Sequence, residues 1–140
     1  MCSNRNESEH AHLVSSLDSA VDLLQRNRDV LARTFLIGGA QLYPQAMEKT
    51  PSNAVLDQML ITRIFEPSFD ECDVFLPEFR SKDQIREDEE GSRENVPSQI
   101  NNWKRCEEGE LASFVGEKVD EGVIEEKGVR YQLQMWQRKS

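Results

Sequence analysis

Ile37-Gly38-Gly39-Ala40-Gln41-Leu42-Tyr43 is the stretch of this sequence best suited to holding a charged ligand. The apolar run Thr34 to Ile37 stops at a glycine pair, and a helical pattern starts directly after it. Such a junction collects backbone N–H groups and the positive end of a helix dipole at one spot, which suits a phosphate or pyrophosphate. The same pair is also used in strand-to-helix turns that bind nothing, so alone it is weak evidence. Other reactive residue types offer less. His10 and His12 lie in a polar lead-in and read as a solvated tail, not a metal site. Cys2, Cys72 and Cys106 are odd in number and widely spaced, with no C-x-x-C pair, which points to a reducing compartment and no structural zinc.

The elements that must position this stretch follow from periodicity. Residues 1–10 are polar and acidic and read as a disordered lead-in, with no apolar run of the kind a signal peptide or anchor needs. Ser15-Ser16-Leu17-Asp18 has the form of a capping box, and Leu17, Ala20, Val21 and Leu24 follow at helical spacing, which predicts a helix over 16–26. Thr34 to Ile37 reads as a buried strand. Leu42 with Ala46, and Tyr43 with Met47, give a helix that Pro44 does not oppose, because it falls in the first turn. Thr50-Pro51-Ser52-Asn53 ends that helix. Met59 to Phe65, rich in β-branched residues, is the next strand. The order helix, strand, helix, strand predicts an α/β sheet with parallel pairing, in which Ile37-Gly38-Gly39 marks the carboxyl end of a strand where ligands sit.

Ser81 to Asn95 has one apolar side chain and is expected to be an exposed acidic insertion: a solvated loop or, alternatively, a docking site for a partner. Val123-Ile124, the Lys127-Gly128 turn and the strict alternation Tyr131 to Gln137 predict an antiparallel hairpin. Its register puts Tyr131, Leu133 and Met135 in one row and Gln132, Gln134 and Trp136 in the other, so Trp136 is expected to cap an outer face or cover an edge. A chain of 140 residues has room for one domain. Its formal net charge of −9 argues against nucleic acid and anionic membrane as partners. A phosphorylated ligand would therefore be held by oriented amides and a few basic residues rather than by the overall field. The expected compartment is the cytosol or the mitochondrion; the oligomeric state is left open.

Three blocks, in order, carry a family resemblance. Ile37-Gly38-Gly39-Ala40-Gln41-Leu42-Tyr43 is similar to the I/V-G-G-x-x-x-Y element of dihydrofolate reductase. Leu60-Ile61-Thr62-Arg63-Ile64, with Phe69 to Glu78, resembles that family's L-T-R-I strand and E-x-D-x-F-F-P-E turn. Glu125 to Trp136 resembles its closing hairpin, the Q-M-W ending being similar to fungal members. Val74 and Leu76 depart from the threonine and second phenylalanine common there; the second reads as a conservative core exchange.

The resemblance implies NADPH-dependent reduction of 7,8-dihydrofolate to tetrahydrofolate. It implies that the backbone of Gly38, Gly39, Ala40, Gln41, Leu42 and Tyr43 cradles the cofactor pyrophosphate, with a cis Gly38–Gly39 peptide. Ile37 and Tyr43 would line the cleft where nicotinamide and pterin meet, and Thr62 would hold the pterin amino group through a water. In the family the first strand, the mobile loop, the catalytic carboxylate and the groups that read the folate tail and the cofactor's 2′-phosphate all precede the region matched here. The resemblance thus implies a carboxyl-terminal portion of residues 11–140: a partial sheet, mostly parallel with an antiparallel terminal hairpin, lacking its central first strand. No catalytic residue is assigned, since Asp18 and Asp22 fall on a surface helix, Asp57 precedes a strand and Asp73 belongs to a turn. Two strands lacking their neighbour would expose unpaired amides at about 1–3 kcal/mol each when buried, so the chain alone is expected to be neither stable nor active as a reductase. The alternatives are a non-catalytic interaction protein, and a related reductase acting on pyrimidine intermediates, against which the second block stands.

Overall fold

A computed structural model describes residues 11–48, 56–90 and 102–139. The expected lead-in over 1–10 and the helix stop at 50–53 lie outside these residues. The chain divides into two units, Met1–Val55 and Leu56–Ser140.

In the first unit, α1 spans Leu17–Arg26. Ser16 is its cap: the hydroxyl accepts from Ser19 N at 3.1 Å, one residue later than the expected box, and it satisfies one of the donors a helix start leaves orphaned. Asp18 in the first turn and Arg26 in the last both complement the helix dipole. Val21 is the buried residue of its apolar face. The helix α2 covers Leu42–Glu48, buries Ala46 and accommodates Pro44 in its first turn as expected.

Thr34 to Ile37, between them, is not the buried strand that its apolar run suggests. It carries no strand pairing, and Phe35 and Ile37 are 57% and 90% exposed. An extended apolar run becomes a strand only where a neighbouring backbone takes its N–H and C=O groups, and among the described residues no ladder does so.

The second unit holds the sheet, and it is wholly antiparallel among the described residues, in place of the mostly parallel one expected. Its strands are β1 (Gln58–Glu66), β2 (Trp103–Arg105), β3 (Ile124–Glu126) and β4 (Val129–Arg138), in the order β1-β4-β2 with β3 also on β4. Two helices, α3 (Lys82–Glu90) and α4 (Glu108–Val115), complete it. The β3–β4 hairpin turns at Lys127 and Gly128, with φ of 52° and 79°, the positive-φ pair that matches the twist of two-residue hairpins.

Register decides the faces. Met59 lies opposite Trp136, Ile61 opposite Gln134 and Arg63 opposite Gln132, while Arg105 of β2 also lies opposite Trp136. These residues therefore share one face, and it is covered. Trp136, expected at an outer face or edge, is 1% exposed and the most buried large side chain. Phe79 packs edge-on against Trp136 at 5.1 Å and against Trp103 at 6.3 Å. Met135 on the opposite face is buried as well, but its neighbours there on β1, Leu60, Thr62 and Ile64, are exposed, so that face is only partly covered.

The acidic run is the other correction. Lys82–Glu90 is helix, not an exposed loop, and Asp88 is buried within the unit; residues 91–95 lie outside the described set. Ser81 and Gln84 explain the helix start. Gln84 N donates to Ser81 Oγ at 3.2 Å and Ser81 N donates to Gln84 Oε1 at 2.9 Å, the reciprocal pairing of a capping box.

Candidate functional site

The glycine stretch forms a compact turn in the first unit. Leu42 N donates to Gly39 O at 2.9 Å, which closes the turn that launches α2 and commits the Leu42 amide. The amides of Gly39, Ala40 and Gln41 have no acceptor among the described residues. A Cβ placed on Gly38 or Gly39 would meet nothing within 4 Å, so the backbone lies open on that side. The Gly38–Gly39 peptide is cis, as the resemblance implies. Of the other expected site residues in this unit, Ile37 is exposed and Tyr43 half-buried. Thr62 belongs to the second unit, where it lies on β1 opposite Leu133 of β4 and is exposed.

The second unit contains a polar assembly that residue spacing did not reveal. Asp88 is its centre, its side chain only 2% exposed. Its Oδ2 accepts from Arg80 Nη1 at 2.7 Å, and its Oδ1 accepts from Arg105 Nη1 at 3.0 Å and Gln134 Nε2 at 2.8 Å. Arg63 Nε sits 3.5 Å from Oδ2, an ion pair without a hydrogen bond. Gln134 also accepts from Trp136 Nε1 at 3.0 Å and donates to Gln132, whose amide reaches Glu108 of α4 at 3.1 Å. The polar row of β4 thus joins α3 to α4 beneath the covered face. A buried carboxylate is tolerated only with this degree of pairing.

Arg80 is gripped from its other side by Glu78, with Nε to Oε1 at 2.8 Å and Nη2 to Oε2 at 2.9 Å, a bidentate fork. That side-chain hydrogen bond from Arg80 holds the Glu78 carboxyl below the usual glutamate range, against a smaller opposing effect of burial. The same bond keeps the Arg80 guanidinium charged. Burial pushes the Cys106 thiol up, and the Glu110 charge adds to that, which makes it a poor nucleophile. Val74 and Leu76 are exposed, so the expected core exchange at Leu76 is not a core position.

The signal that could have exposed this assembly is S-x-x-Q at Ser81–Gln84. It announces a helix, after which Ser81, Gln84, Ile85 and Asp88 fall at helical spacing on one face. Gln84 Nε2 donating to Trp103 O at 2.9 Å anchors that face to β2.

The family model described as dihydrofolate reductase matches residues 1–105. The chain is 36% identical over 144 residues to the dihydrofolate reductase of Pneumocystis carinii, an alignment that takes in 96% of this chain and 60% of that protein. It is 29% identical over 145 residues to the dihydrofolate reductase of Cryptococcus neoformans var. neoformans serotype D, covering 91% of this chain and 57% of that protein. The chain therefore spans a little under three-fifths to three-fifths of the length of these curated relatives.

Proposed function

We propose that this chain, which belongs to the dihydrofolate reductase family, supplies the pyrophosphate cradle for NADPH in the reduction of 7,8-dihydrofolate to tetrahydrofolate. The observation that carries this reading is the run of uncommitted amides at Gly39, Ala40 and Gln41, on a turn whose glycines leave the backbone open. Oxygen-rich anions are bound by such successive N–H groups without any surface excess of positive charge, which a chain of net charge −9 lacks. Gly38, Gly39, Ala40, Gln41, Leu42 and Tyr43 form this cradle. Leu42 acts by closing the turn rather than as a donor. Ile37 and the Tyr43 ring present apolar surface for the planar rings of cofactor and substrate, and the Thr62 hydroxyl fixes a polar edge of the pterin.

NADPH supplies the hydride when bound; the protein's part is orientation, exclusion of water and delivery of a proton. For that last task no acid of this chain is assigned. β1 has β4 on one edge and no strand on the other among the described residues, which supports the reading that a further strand of the family's sheet belongs there. The chain by itself is accordingly proposed to bind the cofactor weakly and to turn nothing over.

Titration of the chain with NADPH, followed by backbone amide resonances, tests the cradle. Gly39, Ala40 and Gln41 are expected to respond together in the millimolar range, while NADPH consumption with dihydrofolate stays at background. A response that leaves these amides unmoved overturns the cradle. Steady turnover by this chain overturns the assignment of the proton donor to groups outside it.

A further inference from the structure

We propose that Arg63 and Arg105, held against one buried carboxylate, form a binding site for the phosphomonoester dianion of a small soluble molecule. The site lies in the second unit and stands independently of the glycine turn.

Asp88 is surrounded by donors. Its two oxygens already accept three hydrogen bonds, from Arg80, Arg105 and Gln134. Arg63 adds a third guanidinium whose Nε is buried with no hydrogen-bond partner among the described residues, an ion pair at 3.5 Å tying it to Asp88. Three guanidiniums thus converge on one carboxylate, Asp88, while Glu78 is taken up by Arg80 and Glu108 by Gln132 and Gly122, in a chain of net charge −9. A clamp for α3 needs Arg80 and Arg105. It does not need Arg63.

Geometry puts two of these guanidiniums where a ligand can use them. Arg63 contacts Oδ2 and Arg105 contacts Oδ1 of the same carboxylate, so the two guanidiniums are separated by no more than those two contacts and the width of one carboxylate. Each side chain is 34% exposed. A guanidinium carries five N–H donors and no acceptor, and Arg105 uses only Nη1 among the described residues. Donors other than Arg63 Nε, which is buried, and Arg105 Nη1, which is taken by Asp88, are the ones available to a ligand. Two neighbouring forks exceed what a carboxylate's two oxygens can fill, whereas a phosphomonoester offers three acceptor oxygens and close to two charges. Rigid planar forks that remain charged at any working pH are suited to this recognition. The supports are fixed: Arg80 is 9% exposed, doubly held by Glu78, and Gln134 locks Asp88 from the sheet.

Inorganic phosphate is the probe, titrated into the full chain against sodium chloride at matched ionic strength. Arginine Nε–H resonances and the unfolding midpoint read from Trp103 and Trp136 fluorescence are followed together. Saturable movement of the Arg63 and Arg105 signals is expected, with a midpoint that rises in phosphate and not in chloride. Arg63→Gln, which removes none of the hydrogen bonds to Asp88, is expected to weaken phosphate binding at least tenfold with an unchanged backbone spectrum. Arg86→Gln, on the exposed ion pair with Asp83, is expected to leave it as it was. Equal responses to phosphate and chloride overturn the proposal, as does phosphate binding that survives Arg63→Gln. Vesicles containing phosphatidic acid present the same headgroup on a surface; co-sedimentation with them in the absence of any response to free phosphate also overturns it.

Discussion

Glu78 and Asp88 show how differently two carboxylates serve when only one is buried. Glu78 grips Arg80 from the surface, with its side chain half exposed, so solvent screens the pair and its share of stability is small. Its pH dependence nevertheless has a definite sign. The Arg80 hydrogen bond depresses the folded-state pKa, so the contribution is complete above the unfolded glutamate value of about 4.3 and is lost as pH falls through the lower folded value. Glu78→Gln is therefore expected to leave acid unfolding unchanged once Glu78 is protonated in both states, and to lower stability slightly from pH 5 upward. Unfolding midpoints of both proteins across acid pH check this: curves that stay separated at the lowest pH by as much as at neutrality contradict it. Asp88 is placed differently, with its side chain 2% exposed. Its oxygens are enclosed and accept from Arg80, Arg105 and Gln134, so truncating it would leave three donors without their acceptor.

At the scale of elements, α3 depends on two local devices of unequal strength. Replacing Ser81 by Ala removes one cap bond at a helix start and is expected to cost about 1 kcal/mol. Asp88→Asn removes a buried charge facing Arg80, Arg105 and Arg63 and is expected to cost about 3–5 kcal/mol. Urea unfolding of the two variants measures the ratio; equal losses would mean that the helix, not the ion cluster, fastens α3 to the sheet. The same element shows what a sequence carries and what it hides. The hairpin at Lys127-Gly128, β1 and α1 were legible because period and turn chemistry are local properties. The glycine turn was legible for the same reason. α3 was hidden because its buried face is polar: Gln84 and Asp88 take the positions where apolar side chains are expected, and their partners lie on β2 and β4 and in the Arg80 segment. Thr34 to Ile37 failed in the opposite direction. Its apolar run states a preference for burial, but strand formation needs a second backbone, and no residue type within the run encodes one.

At the scale of the whole molecule, protection against solvent is distributed unevenly, and hydrogen exchange can read that distribution. β4 pairs with β1, β2 and β3, so most of its N–H and C=O groups are held in ladders, above a core of Trp103, Trp136 and Met135. α1 is a ten-residue helix, below the length at which helices persist on their own in water, and contributes one buried residue, Val21. Leu36 to Gln41 joins no ladder among the described residues. Local opening costs least where few apolar contacts and few shielded hydrogen bonds must be broken. Amides of β4 and of β1 facing it are therefore expected to exchange slowest and close to the rate of global unfolding. Those of α1 should exchange faster, and those of Leu36 to Gln41 fastest. Slow exchange at Leu36 and Ile37, equal to that of β4, would show that this segment is paired in solution. Addition of NADPH sharpens the test, because a ligand seated on the Gly39, Ala40 and Gln41 amides slows those three selectively while leaving β4 at its original rate.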